Sequence, residues 1–104
     1  MIAAAVGRAR EVMGVIFNTE VFEFSDPERA KEAWLGFRES LEAAGGSDIR
    51  LFRNVDNPNQ VLATMWWDKA ESCRGWAREH GDEAMKVLGE VTKSMEPEFL
   101  WEEL

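Results

Sequence analysis

The sequence predicts an α+β domain. Four antiparallel strands form one sheet with two helices on one face, in the order strand, helix, strand, strand, helix, strand. Three observations carry this. The run 61–67, VLATMWW, is almost continuously apolar and too short for a helix, as a strand covered on both faces would be. Two longer stretches, 27–44 and 70–91, repeat apolar residues at three- and four-residue steps. With 104 residues, 45% of them hydrophobic and five of them tryptophan, the chain holds one packed core and has no room for a second.

Residues 1–12 read as an N-terminal extension to a domain spanning 13–104. The leader is rich in alanine and arginine. Met13, just before the first strand-like run, is an alternative start; otherwise the leader forms a short helix or frays. Residues 15–24, VIFNTEVFEF, are rich in β-branched and aromatic residues and form strand one. Asn18 and Glu20 share a strand face with Phe22 and are polar exceptions on it. They either line a pocket or sit at a solvated strand end.

Asp26 caps the first helix, Pro27 takes its first position and Glu28 complements its positive end. Ala30, Ala33, Trp34, Phe37, Leu41 and Ala44 make its apolar stripe, and Gly45-Gly46 stops it. Strand two covers 49–55, with Ile49, Leu51, Arg53 and Val55 on one side. Arg53 there needs a carboxylate or a bound anion, or snorkels to water. Asp56-Asn57-Pro58-Asn59 is a turn into strand three.

Asp68 and Glu71 then form a D-x-x-E capping box for helix two, whose buried side runs through Ala70, Cys73, Trp76, Ala77, Ala84, Leu88 and Val91. His80-Gly81-Asp82 breaks that pattern and predicts a bend near Gly81. A short fourth strand follows Pro97, with Phe99 and Trp101 on one face. Helices cover only one side of such a sheet, yet its strands carry aromatics on both. Soluble monomers avoid an apolar patch of that size, so a second copy is expected to pack on it, giving a homodimer.

Composition narrows the function. A formal charge of −8 repels phosphate backbones and anionic headgroups, so neither nucleic acid nor membrane is an expected partner. No run approaches the roughly 20 apolar residues of a membrane span, and Arg8 and Arg10 interrupt any secretory signal. The single cysteine, Cys73, forms no internal disulfide, which fits a cytoplasmic location. His80 is the sole histidine, so a multi-histidine metal site is excluded, and nucleotide fingerprints and serine-nucleophile elbows are absent.

The segment RNVDNPNQVLATMWWDKAESCRGWAREHGDEAM, with the strand order of 15–104, resembles the dimeric α/β-barrel superfamily of antibiotic-biosynthesis-monooxygenase-like proteins. The match lies in an arginine-bearing strand, a D-x-P-x turn, a buried strand, W-[DE] and a helix with a central aromatic. That resemblance implies a ferredoxin-like βαββαβ protomer and a dimeric barrel. Its members include cofactor-independent, quinone-forming monooxygenases, haem-degrading enzymes, small isomerases and proteins of unassigned activity.

Two functions are therefore carried forward. One is a monooxygenase-like enzyme without cofactor, acting on a small apolar or aromatic ligand: Trp66, Trp76, Phe22 and Arg53 bind, and His80 or Asn18 handles a proton or an oxyanion. In the other, a non-catalytic small-ligand-binding or structural dimer, Trp76 is core and His80 merely suits a helix end. The haem-degrading branch uses a strand-one asparagine, a helix-two tryptophan and a histidine nine or ten residues further on. Asn18 and Trp76 stand in the first two regions, but positions 85 and 86 are Met85 and Lys86, so no haem turnover is expected.

Overall fold

The computed structural model describes residues 14–104, so the boundary expected at residues 12 and 13 lies outside the described residues. Its elements are β1 (Ile16–Phe24), α1 (Pro27–Leu35), α2 (Arg38–Ala43), β2 (Gly46–Arg53), β3 (Gln60–Trp67), α3 (Ala70–Gly89), β4 (Thr92–Met95) and β5 (Phe99–Glu102). The sheet runs β2-β3-β1-β4 and is antiparallel throughout, with β5 also on β1. β4 and β5 are two pieces of one edge, laid end to end along β1 with Glu96-Pro97-Glu98 between them. Proline cannot donate to the ladder, so the edge breaks there.

Register sorts the side chains. Ile16, Asn18, Glu20 and Phe22 of β1 stand opposite Trp67, Met65, Ala63 and Val61 of β3, and this set faces the helices. Two apolar clusters build the core on that side. One holds Phe22, Phe24, Ala30, Val61, Ala63 and Val91; the other holds Leu41, Met65, Trp67, Cys73, Trp76 and Ala84. Trp67 is 1% exposed, and burial of a side chain that size stabilises by about 2–3 kcal/mol. The other face carries Phe17, Val21, Leu62, Trp66, Phe52, Phe99 and Trp101. Phe99 and Trp101 are about half exposed there, so the two-sided apolar character of the strands leaves one face partly wet in a single chain.

Several local expectations are corrected. The first helix is two: α1 ends at Leu35, Gly36 caps it and α2 begins at Arg38. Gly36 keeps helical dihedrals, φ −63° and ψ −20°, and the backbone departs from them at Phe37, φ −92° and ψ 1°; the apolar stripe continues across the break, so Ala30 and Leu41 are both buried. Asp68 does not cap α3. Lys69 holds that position without a side-chain bond, while Asp68 lies against Gly45, whose backbone φ of 113° admits no ordinary side chain. α3 runs unbroken through Gly81, since an isolated glycine costs a helix about 1 kcal/mol and long packed helices absorb that.

Strand two begins at Gly46, earlier than expected, and ends before Val55, which is 93% exposed. β4 has no counterpart in the expected elements. Among the described residues no helix is long and apolar enough to cross a membrane.

Candidate active site

Between the two core clusters lies a cavity of about 190 Å³. Its apolar wall includes Phe22, Trp34, Met65, Trp67 and Trp76; its polar end holds Asn18, Glu20, Cys73 and Glu98. Lysine, arginine and histidine are absent from the lining.

β1 sets the polar end. Asn18 is 7% exposed and ties three elements together. Its Oδ1 accepts from Trp67 Nε1 at 3.1 Å and from the Cys73 thiol at 3.9 Å, and its Nδ2 donates to the Phe99 carbonyl at 3.3 Å. One amide hydrogen is left over. Two residues along, Glu20 stands opposite Ala63 on one side and opposite the interruption between β4 and β5 on the other. A methyl group and a gap in the ladder leave room above its carboxyl.

Glu98 comes from that interruption, its Oε1 3.7 Å from the Cys73 sulfur, so it shares the single thiol hydrogen with Asn18. Burial first, and then the negative charge of Glu98, push the Glu20 carboxyl up to about 7. Burial and the same two carboxylates push the Cys73 thiol up to about 12, so it remains a donor. On the apolar wall, Trp76 donates to Ser40 Oγ at 2.8 Å, and Trp34 Nε1 is a buried donor with no partner among the described residues.

Of the residues expected at a site, Asn18, Phe22 and Trp76 line this cavity. Trp66 does not. It lies on the opposite sheet face, its ring 4.8 Å from Phe17, because its neighbour Trp67 takes the inward parity on β3. Arg53 is at the exposed end of β2, where it meets Glu28 at 2.8 Å, so its partner is a surface carboxylate. His80 packs its ring 5.4 Å from that of Trp76 and lies 3.8 Å from Glu79 and 4.0 Å from Glu83. Gly81, one step round the helix, lines the cavity in its place. His80 and Asn18 therefore do not converge.

Trp34, Trp67, Cys73 and Glu98 were not anticipated as site residues, and Glu20 was expected only to line a pocket or to sit at a solvated strand end. Glu20 had a signal in its polar intrusion into the face of Phe22; Glu98 had none, since only strand register brings it there. No three His, Cys, Asp or Glu side chains among the described residues are arranged as a metal site. A wider groove of about 430 Å³ runs across the opposite sheet face, past Phe17, Trp66 and Trp101.

No family model and no curated protein matches the sequence. Solved structures do. SnoaB, a cofactor-independent oxygenase from Streptomyces nogalater, matches with a TM-score of 0.73 at 14% identity over 86% of this chain and 92% of its own. A protein from Bordetella bronchiseptica, provisionally designated an antibiotic biosynthesis monooxygenase, matches at 0.69 and 19% identity over 88% and 96%. A dimeric ferredoxin-like protein from an uncultured marine organism matches at 0.63 and 12% identity over 94% and 95%. The resemblance read from the sequence is borne out at the level of fold: the protomer has the ferredoxin-like architecture of antibiotic-biosynthesis-monooxygenase-like proteins.

Proposed function

We propose that this chain is a cofactor-independent, monooxygenase-like enzyme that takes a small aromatic substrate into the cavity between helices and sheet. The observation that carries the reading is an aromatic wall closing on one end that holds hydrogen-bonding groups. An apolar cavity of about 150 Å³ accepts a benzene ring, so the space here suits a flat ligand of one or two rings. Trp34, Trp67 and Trp76 hold the ring, and the polar end fixes its orientation. Asn18 holds that end in shape through its three bonds and offers its last amide hydrogen to a ligand oxygen. An electron-rich aromatic that has lost a proton reduces dioxygen directly, which is the chemistry a cofactor-free oxygenase needs the protein to prepare.

The likeness to SnoaB supports this class of reaction. We further propose that two chains pack outer sheet face to outer sheet face, covering Phe99 and Trp101; the dimeric ferredoxin-like neighbour supports self-association. The chain would then work as a cytoplasmic homodimer.

Native mass spectrometry with and without denaturation, followed by oxygen uptake with fused-ring phenols, tests the reading. One ligand per chain with oxygen consumption supports it. Stoichiometric binding without oxygen uptake would make the protein a non-catalytic binder, and failure to quench the cavity tryptophans with any aromatic would remove the site.

A further inference from the structure

The polar end of the cavity has a chemical peculiarity. Two carboxylates, Glu20 and Glu98, meet there beside a neutral thiol and a neutral amide, and no cation lines the space. Glu98 is exposed at the rim and Glu20 is partly buried behind it, and a carboxylate drawn out of water is ordinarily paired with a cation or with several donors. No cation in the cavity lining faces Glu20: β3 presents Ala63, α1 presents Trp34, α3 presents Cys73, with Arg74 outside the lining and acting weakly on that thiol, and the β4–β5 connection presents Glu98. Among the described residues, Glu20 has no hydrogen-bond or ion-pair partner, although it sits mid-strand at the centre of the sheet. What such a carboxylate lacks is a proton donor, and the cavity above it is where one would come from.

We propose that Glu20 is the proton acceptor of this site and that its substrates are neutral, flat aromatics carrying one weakly acidic O–H or enolisable C–H. This rests on the cavity reading above and adds the acting residue and the substrate class. In the step, the ligand's O–H or C–H bond breaks, its proton forms an O–H bond on the Glu20 carboxylate, and the electron pair stays on the ligand as its conjugate base. One negative charge moves from protein to ligand, so the charge of the site is conserved and no oxidant is required. A carboxylate ligand would instead place a third negative charge beside the partly buried Glu20 and the rim carboxylate Glu98. Anionic aromatics are therefore excluded by the same two residues that accept the proton. The rise of the Glu20 carboxyl to about 7 agrees with this role, since a general base acts best when its affinity for protons matches the working pH.

The test is tryptophan-fluorescence titration with 2-naphthol and with 2-naphthoate, from about pH 5 to about pH 8.5, a range where the naphthol stays neutral and Glu20 ionises. 2-Naphthol is expected to bind roughly tenfold tighter above the ionisation than below it, the difference between a charged and a neutral acceptor, and 2-naphthoate to bind far more weakly. Glu20→Gln should bind 2-naphthol at the low-pH level without a pH step. Glu98→Gln should keep the step but move it to lower pH, because one source of the upward push has gone. A pH-independent affinity in the wild type, the same step in Glu20→Gln, or preference for 2-naphthoate overturns the proposal while leaving the cavity as a binding site. No binding of either probe overturns both.

Discussion

Replacing Glu20 by glutamine keeps the shape of the side chain and removes its titration, and the consequence for stability is calculable. The folded-state carboxyl titrates at about 7, against 4.5 for a glutamate free in water. Between these values the native state binds more protons at this site than the unfolded chain does, so stability falls as pH rises through the window. Each tenfold difference in proton affinity between the folded and unfolded chain is worth about 1.4 kcal/mol, and partial solvent access at the cavity reduces the total to about 1–3 kcal/mol. Wild type and Glu20→Gln should therefore be similarly stable near pH 4, and the variant more stable by that amount near pH 8. At about 4–8 °C per kcal/mol for a domain this size, the melting temperatures should separate by roughly 4–24 °C.

Urea and thermal unfolding of both proteins at one protein concentration, across that pH range, give the difference curve. Matching the concentration matters because any dimer stabilises by mass action. The acidic side chains that do not interact with Glu20, in a chain of formal charge −8, are common to both proteins and cancel in the difference, which leaves Glu20 and its coupling to Glu98. A flat difference curve, or a variant less stable than wild type near pH 8, would refute the reasoning.

Three further outcomes are expected. Cys73, 3% exposed and with its thiol pushed up to about 12, should resist iodoacetamide near pH 8 until denaturant is added; rapid labelling of the folded protein would contradict its placement. Phe99→Lys places a charge on the outer sheet face, where Phe99 is 52% exposed, so sedimentation should shift from dimer toward monomer; an unchanged profile would mean that the sheets do not pack on each other. Haem titration should give no sharp Soret band at one equivalent, because Met85 lines the cavity and His80 does not; a saturating band lost in His80→Ala would move the protein into the haem branch.

The fold was legible because strands and helices announce themselves locally. Residues 61–67 and the stripe from Ala30 to Leu41 needed no long-range information to be assigned. What failed locally were the helix breaks: the first helix is interrupted at Gly36-Phe37 although its stripe runs on, whereas Gly81 interrupts nothing because α3 is held along its length by Cys73, Trp76, Ala84 and Leu88. β4, with the sequence TKSM, has no apolar alternation to show, since it is an edge strand with mostly exposed side chains. At the site, Trp66 and Trp67 differ by one position, and strand parity sends one to each face. The pairing of Asn18 with Met65, which fixes that parity, is a register fact that the separate runs do not contain. Glu98 is harder still: it enters the cavity because β5 pairs with β1 while Pro97 breaks the edge just opposite Glu20.

An acid in that place is not required by the architecture. Ala63 and Phe22 beside Glu20 show that an apolar side chain would suit the face, and glutamine would spare the ionisation cost of about 1–3 kcal/mol at neutral pH. Stability alone therefore favours other residues, and a site that uses the carboxyl supplies the reason for keeping it. The two measurements on Glu20 then constrain each other. The difference curve in stability ends at the native ionisation of Glu20, and the step in 2-naphthol affinity is centred on the ionisation of the same group in the unliganded protein. Both should fall near pH 7, and both should move down together in Glu98→Gln. Were the stability curve to end near pH 7 and the binding step to lie elsewhere, Glu20 would be a partly buried acid of structural origin, and a different group would be taking the proton.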